Sequence, residues 1–164
     1  MSEKDLDKAL EQALREKPDF VSWLLRKTKF AHCAARYAWS RSNNPWGRVT
    51  MRVRDNESGG SREESREGET DVLVVFEDSL SGKRFALHIE NKTATGAFTP
   101  LQPEMYRVRA EAWLGKSNYG SYEDFETMLV APQAFYDRNA EGSSLFDRFV
   151  PHEEIAEFVR EFSR

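Results

Sequence analysis

The sequence predicts an α/β sandwich built around a mixed sheet, and three observations lead there. Two apolar runs, Val72 to Phe76 and Phe85 to Ile89, flank the turn-like Ser79-Leu80-Ser81-Gly82, the pattern of a buried antiparallel hairpin. A third run, Phe125 to Ala131, follows a helical stretch, which implies a crossover and parallel pairing. Amphipathic helical periodicity brackets these strands toward both ends of the chain.

The elements follow in order. Residues 3–16 place Leu6, Leu10, Ala13 and Leu14 on one helical face. Pro18 breaks that helix or opens the next, and residues 19–40 read as helical through Phe20, Trp23, Leu24, Phe30 and Ala34. Asn43 to Gly47 is a loop. Val49, Met51 and Val53 alternate with Arg48, Thr50, Arg52 and Arg54, a first strand with one polar face. Residues 55–68 are polar and glycine-rich and read as a mobile loop. After the hairpin, Thr93 to Phe98 connects to a helix expected from about Pro100 to Leu114, with Thr99 as N-cap and Pro100 in the first turn. Leu101, Met105, Val108 and Ala112 form its apolar stripe; Gln102, Tyr106, Arg109 and Trp113 form a second stripe beside it. Pro151 opens a last helix to about residue 162, with Ile155, Phe158, Val159 and Phe162 inward.

The 164 residues suffice for one domain with a real core, and residues 1–164 read as a single unit. No apolar stretch is long enough to cross a bilayer, and the acidic start Met1-Ser2-Glu3-Lys4-Asp5 lacks the apolar core of a signal peptide. The single cysteine, Cys33, excludes an internal disulfide and a multi-cysteine zinc site. A cytoplasmic protein is expected. Net charge is −4, which argues against general affinity for nucleic acid. Its distribution is uneven: residues 20–54 hold eight Lys/Arg and no Asp or Glu, so the remainder carries −12. The same tract contains Trp23, Phe30, Tyr37, Trp39 and Trp46. Two readings stand: basic and aromatic side chains that track a phosphate backbone and stack on bases, or core aromatics beneath a solvated face.

The chemistry concentrates at the open end of the hairpin. A turn centred between Leu80 and Ser81 pairs Phe76 with Phe85, Val74 with Leu87 and Val72 with Ile89, and sets Glu77 against Arg84 and Asp78 against Lys83. The same register puts Asp71 opposite Glu90 and Glu69 opposite Lys92, and alternation places Glu69, Asp71, His88, Glu90 and Lys92 on one face. Asp71 and Glu90 offer hard carboxylate oxygens to Mg²⁺ or Mn²⁺, the backbone carbonyl of Asn91 offers another, and Glu69 is available to a second metal or to Lys92. Lys92 would put a cation beside an attacking water or a developing negative charge. The bland alternative is a strand with one solvated, charged face.

Asp71 followed by Glu90-Asn91-Lys92 at the end of the next strand, and then by a helix, resembles the PD-(D/E)XK nuclease superfamily. The resemblance implies a restriction-endonuclease-like core, a mixed four-stranded sheet flanked by helices, over residues of about 48–131. The segments 1–40 and 151–162 would be flanking helices. Gln102-Pro103-Glu104-Met105-Tyr106 is similar to the Gln-x-x-x-Tyr motif of the RecB-like branch. The resemblance implies Asp71 and Glu90 as metal ligands, Lys92 as catalytic lysine, and Gln102 and Tyr106 as accessory residues that position nucleic acid or the lysine. Thr70 stands where the namesake proline would be. For the helical glutamate of some members, Glu11 is the best candidate. Gln102 also fits a capping box from Thr99. Arg48, Arg52, Arg107 and Arg109 are candidates for nucleic-acid contact, whereas His32 and His152 read as isolated and Cys33 as core. The expected activity is Mg²⁺- or Mn²⁺-dependent hydrolysis of DNA phosphodiesters, in defence or repair. An acidic chain with a local basic tract is expected to reach DNA with a partner protein or as a homodimer. The alternative is an inactive nuclease-like module that binds nucleic acid or protein.

Overall fold

A computed structural model describes residues 1–43, 45–54, 57 and 59–163. It is α/β: a mixed five-stranded sheet, a separate two-stranded ribbon, and helices. Among the described residues, no helix is long and apolar enough to cross a membrane. The chain opens with helix α1 (Glu3–Glu16), whose Ser2 and Asp5 close a reciprocal capping box. Leu6, Leu10, Ala13 and Leu14 are buried, as the periodicity predicts.

Helix α2 (Pro18–Leu25) ends well before residue 40. The Thr28 hydroxyl donates to the Leu25 carbonyl at 2.7 Å and accepts from the Phe30 amide at 3.1 Å. These local bonds replace the helical ladder and turn the chain. The expected helical tail becomes strand β1 (Ala35–Arg41). It pairs antiparallel with β4 (Val72–Asp78), register Tyr37 to Phe76 and Trp39 to Val75.

The expected first strand exists as β2 (Trp46–Arg54), but its partner is the supposed loop. Residues 61–69 form strand β3 (Ser61–Glu69); positions 55, 56 and 58 of that expected loop lie outside the described residues. β3 contains no apolar side chain, so hydrophobic pattern is silent about it. It is held by nine residue pairs with β2, including Arg48–Glu67 at 3.1 Å and Arg52–Glu63 at 3.6 Å. Glu69 therefore pairs with Trp46 in the ribbon, not with Lys92 in the hairpin.

The hairpin register is as read from sequence: β4 pairs β5 (Arg84–Asn91) with Val72 on Ile89, Val74 on Leu87 and Phe76 on Phe85. Both strands are buried on both faces. Val72, Val74, Phe76, Phe85, Leu87 and Ile89 pack with α1 and α2, and Leu73, Val75 and Ala86 pack toward helix α3 (Gln102–Ala112). Each such side chain contributes roughly 1.5–3 kcal/mol of burial. β6 (Asp124–Ala131) lies parallel to β5, as expected. The sheet does not stop at four strands. After α4 (Gln133–Arg138) and α5 (Ala140–Ser143), β7 (Arg148–Pro151) pairs parallel to β6, giving the order β1-β4-β5-β6-β7. The sheet therefore begins at residue 35 rather than 48. The last helix shrinks to α6 (His152–Ile155) and a 3-10 turn at Arg160–Phe162. Ile155, Val159 and Phe162 still face inward.

Candidate active site

The acids gather where β4 begins and β5 ends. Asp71 precedes β4, and its Oδ2 accepts the backbone amide of Asn91 at 2.8 Å. That bond replaces the next rung of the ladder and sets the carboxyl close enough to the Glu90 side chain for the two to shift each other's pKa. Glu90 is only 2% exposed. Its Oε1 accepts from Gln102 Nε2 at 2.9 Å and lies 3.2 Å from Lys92 Nζ. Its Oε2 accepts from the Tyr106 hydroxyl, which in turn accepts from the Asp71 amide at 3.2 Å. Lys92 is fixed by the Ala97 carbonyl at 2.9 Å and by the Phe98 ring.

Helix α3 turns mainly the second stripe inward, and of the expected apolar stripe only Met105 is buried. Tyr106, Arg109 and Trp113 are buried, whereas Ala112 is exposed and Val108 half-buried. The helix starts at Gln102 because Leu101 adopts a left-handed φ of 63°, two residues later than the Thr99 cap expected. No capping box forms, since the N-cap is Leu101 and no side chain caps the helix, but Gln102 still reaches back to Thr99. Its Oε1 accepts from the Thr99 amide at 3.1 Å while its Nε2 donates to Glu90. That reach orients the amide that meets the acid.

The helical acid at this site is not Glu11, which bonds Arg15 at 2.8 Å along α1. One turn earlier, Asp7 is buried and accepts from Asn91 Nδ2 at 3.1 Å. Asn91 Oδ1 accepts from His152 Nε2 at 2.8 Å, so one buried amide ties α1, β5 and α6 together. Sequence reasoning missed Asp7 and read His152 as isolated. The available signal was an acid beside Leu6 and Leu10 on the buried face of α1. Glu3, one turn earlier again, lines the same cleft.

Thr70, in the place of a proline, anchors a buried polar chain behind the site. Arg109 Nε donates to Thr70 Oγ1 at 3.1 Å, and Thr70 meets His88 Nδ1 at 3.0 Å. His88 Nε2 meets the Tyr122 hydroxyl at 2.9 Å, which itself donates to the Ala110 carbonyl at 2.5 Å. Tyr122 has spent its proton, so His88 donates from Nε2, and a neutral ring then accepts from Thr70 on Nδ1. Burial and the Arg109 charge hold the imidazole well below its usual pKa, in keeping with that tautomer. His88 thus lies on the expected face but serves the core. Arg109, expected to touch phosphate, is 2% exposed and bonded to Thr70 and to the Glu69 carbonyl at 2.6 Å.

Burial, followed by the repulsion of Asp71, raises Glu90 to about 8. Burial raises Asp71 to about 6, against the lowering effect of the Asn91 amide. Burial and Asp71 raise Asp7 to about 7. Three acids thus share too little compensating positive charge, which is the condition a bound cation relieves. Asp71 and Glu90 form a two-carboxylate set of hard oxygens that suits Mg²⁺, which keeps several waters. Among the described residues, no three His, Cys, Asp or Glu side chains converge as a closed metal cage would. The fit is therefore to an open site completed by water or phosphate. Glu69 is exposed at the rim of the cleft and is not on the Lys92 ladder.

The cleft above these acids measures about 470 Å³ and is bordered by Lys4, Arg66, Glu69, Pro100 and Gln102. A larger cavity, about 690 Å³, lies at the opposite end of the hairpin near Cys33 and Lys83. There Lys29 is paired with Asp124 at 2.7 Å, and burial pushes the Cys33 thiol up, the wrong direction for a nucleophile. The smaller cleft holds the convergent perturbed acids and is the candidate site.

The other expected contacts disperse. Arg107 pairs with Asp147, Arg48 with Glu67 and Arg52 with Glu63. Trp23 and Phe30 pack in the core, Tyr37 and Trp39 are half-buried, and Trp46 alone of the tract's aromatics is open to solvent. Comparison with protein-family models, with curated proteins and with solved structures gave no match.

Proposed function

We propose that this chain is a Mg²⁺- or Mn²⁺-dependent nuclease of the PD-(D/E)XK type, acting on DNA phosphodiesters. One observation carries the reading. Glu90 faces Asp71 while receiving Lys92, Gln102 and Tyr106, the five side chains of the two sequence motifs. The succession α1, β1, β4, β5, α3, β6 supports it, with the β2–β3 ribbon inserted between the first two strands.

Asp71, Glu90 and the Asn91 carbonyl would hold the cation, which when bound acidifies a water and polarises the scissile phosphate. Lys92, fixed at Glu90, places a positive charge where the attacking oxygen and the developing negative charge meet. Tyr106 and Gln102 each donate to one Glu90 oxygen and hold the carboxyl in place. Asp7, oriented by Asn91, adds negative charge behind the pair.

The test is incubation with linear, circular and single-stranded DNA in Mg²⁺ and in Mn²⁺. Cleavage by the parent chain, abolished in Asp71→Ala and Lys92→Ala variants that still melt cooperatively, is the expected result. If parent and variants cut alike, the assignment fails. The open two-carboxylate set also fits a module that binds without turnover. Salt-sensitive retention of DNA with no product in either metal would favour that second reading.

A further inference from the structure

We infer that Trp46 is a stacking platform for an unpaired nucleobase at the mouth of the Asp71–Glu90 cleft, which makes single-stranded nucleic acid the preferred ligand. The inference rests on the nuclease reading of that cleft.

Trp46 is 61% exposed, whereas Trp113 is 3% exposed and Trp23 packs against the core. Among the described residues its ring makes no aromatic or cation contact. The backbone beneath it is fixed. The Pro45 carbonyl accepts from the Thr70 amide at 3.0 Å, one residue from Asp71, and the Trp46 carbonyl accepts from the Tyr119 hydroxyl at 3.4 Å. Gly47 lies flat on Trp113, where an added Cβ would sit 3.1 Å from the indole. Alternation along β2 then sends the Trp46 ring out of the opposite face. The strand cannot roll to bury it without driving Gly47 off Trp113. The backbone thus holds the indole out with its ring faces uncovered.

Its position sets the ligand. Trp46 is directly opposite Glu69, so the two side chains share a face, about 5 Å apart at Cβ. Glu69 lines the cleft with Asp71, Glu90 and Lys92. A polymer bound in the cleft and leaving it past Glu69 would run toward Trp46. Arg48, next on the same face, is exposed but ion-paired with Glu67 at 3.1 Å. An uncovered aromatic ring suits bases with a free π-face, whatever the base. A closed duplex keeps its base faces stacked inside and offers the ring nothing.

The experiment uses the full chain in Ca²⁺, with labelled oligothymidylate and a blunt DNA hairpin closed by a non-nucleotide linker, followed by fluorescence anisotropy. The parent should prefer oligothymidylate. Trp46→Ala should weaken that binding roughly ten- to a hundred-fold, the range of one base–aromatic stack. Trp46→Phe should recover most of it, and hairpin binding should not change. Equal oligothymidylate binding by Trp46→Ala, or equal parent affinity for the hairpin, overturns the inference. A Mg²⁺ cleavage assay on the same proteins separates the two readings. If cutting persists while Trp46→Ala binds like the parent, only the stacking role falls. A parent that neither binds nor cuts removes both.

Discussion

The two ends of one hairpin treat their charges in opposite ways. At the turn, Glu77 accepts from Arg36 at 2.5 Å and lies 3.7 Å from Arg84, and Asp78 accepts the Ser81 hydroxyl at 2.9 Å. Hydrogen bonds to Arg36 hold Glu77 below its usual pKa, and the Ser81 hydroxyl does the same for Asp78. At the open end, Asp71 and Glu90 are buried against each other and their pKa values rise to about 6 and about 8. The same two strands therefore carry one set of carboxylates that is partly open to solvent and paired, and one whose hydrogen bonds and lysine do not offset its burial. Charges kept buried and under-compensated cost stability, and a fold retains them where they bind something.

The largest expected difference between the ends is in catalysis. Lys92→Ala or Asp71→Ala should lower the metal-dependent cleavage rate by at least ~100-fold, in line with loss of a charge-stabilising group. Arg36→Ala at the turn should leave that rate unchanged. Single-turnover assays on both variants break the comparison if the two behave alike.

The pH dependence of stability comes next. Asp7, Asp71 and Glu90 have folded pKa values raised to about 7, about 6 and about 8, so the folded chain retains protons that the unfolded chain has released. Without divalent metal, thermal stability should fall as pH rises from about 4 to about 8, with a slope of up to about 1.4 kcal/mol per pH step of one for each proton retained. The Asp71→Asn, Glu90→Gln double variant should flatten that slope. The turn acids act in the other direction: their contribution disappears only as pH falls through their lowered values. Mg²⁺ should raise the melting temperature more at pH 8 than at pH 5, since only at pH 8 are the open-end acids ready to lose their protons to a cation. Melts with and without Mg²⁺ at the two pH values check this.

A smaller effect tests the ribbon's seat on the site. An added Cβ at Gly68 would lie 2.6 Å from Arg109 Nη1, the guanidinium that bonds Thr70 and the Glu69 carbonyl. Gly68→Ala should destabilise by about 1–3 kcal/mol, the usual cost of overpacking. The smallest effect belongs to the turn: Arg36→Ala removes an exposed ion pair and should shift the melting temperature little. Chemical denaturation of the two variants orders them.

Much of the site was legible in the residues alone. The alternation Val72–Phe76 against Phe85–Ile89 fixes the register, because a slip by one residue would turn the apolar sets outward, and that register carries Asp71 and Glu90 to one rim. Spacing put Gln102 and Tyr106 on one helical face; that this face meets the rim was implied only by the resemblance to the Gln-x-x-x-Tyr motif, and both side chains do bond Glu90. Other parts were not legible. Nothing in Ser61–Glu69 is apolar, so its strand exists only because β2 pairs with it, and Glu69 moves to the ribbon in consequence. Residues 35–41 satisfy either period, and the exposed edge of β4 made them a strand once Thr28 had ended α2. Asp7 reads as a polar interruption on an apolar face until Asn91 is seen beside it.

Local pattern thus determined the hairpin, helix α1, the parallel strand β6 and the meeting of Asp71 with Glu90, since burial period and charge are properties of neighbours in sequence. Tertiary structure alone decided which acids are starved of positive charge, which arginine is consumed by the core, and which tryptophan is left uncovered. Desolvation depends on what packs above a residue, and those layers come from segments far away along the chain.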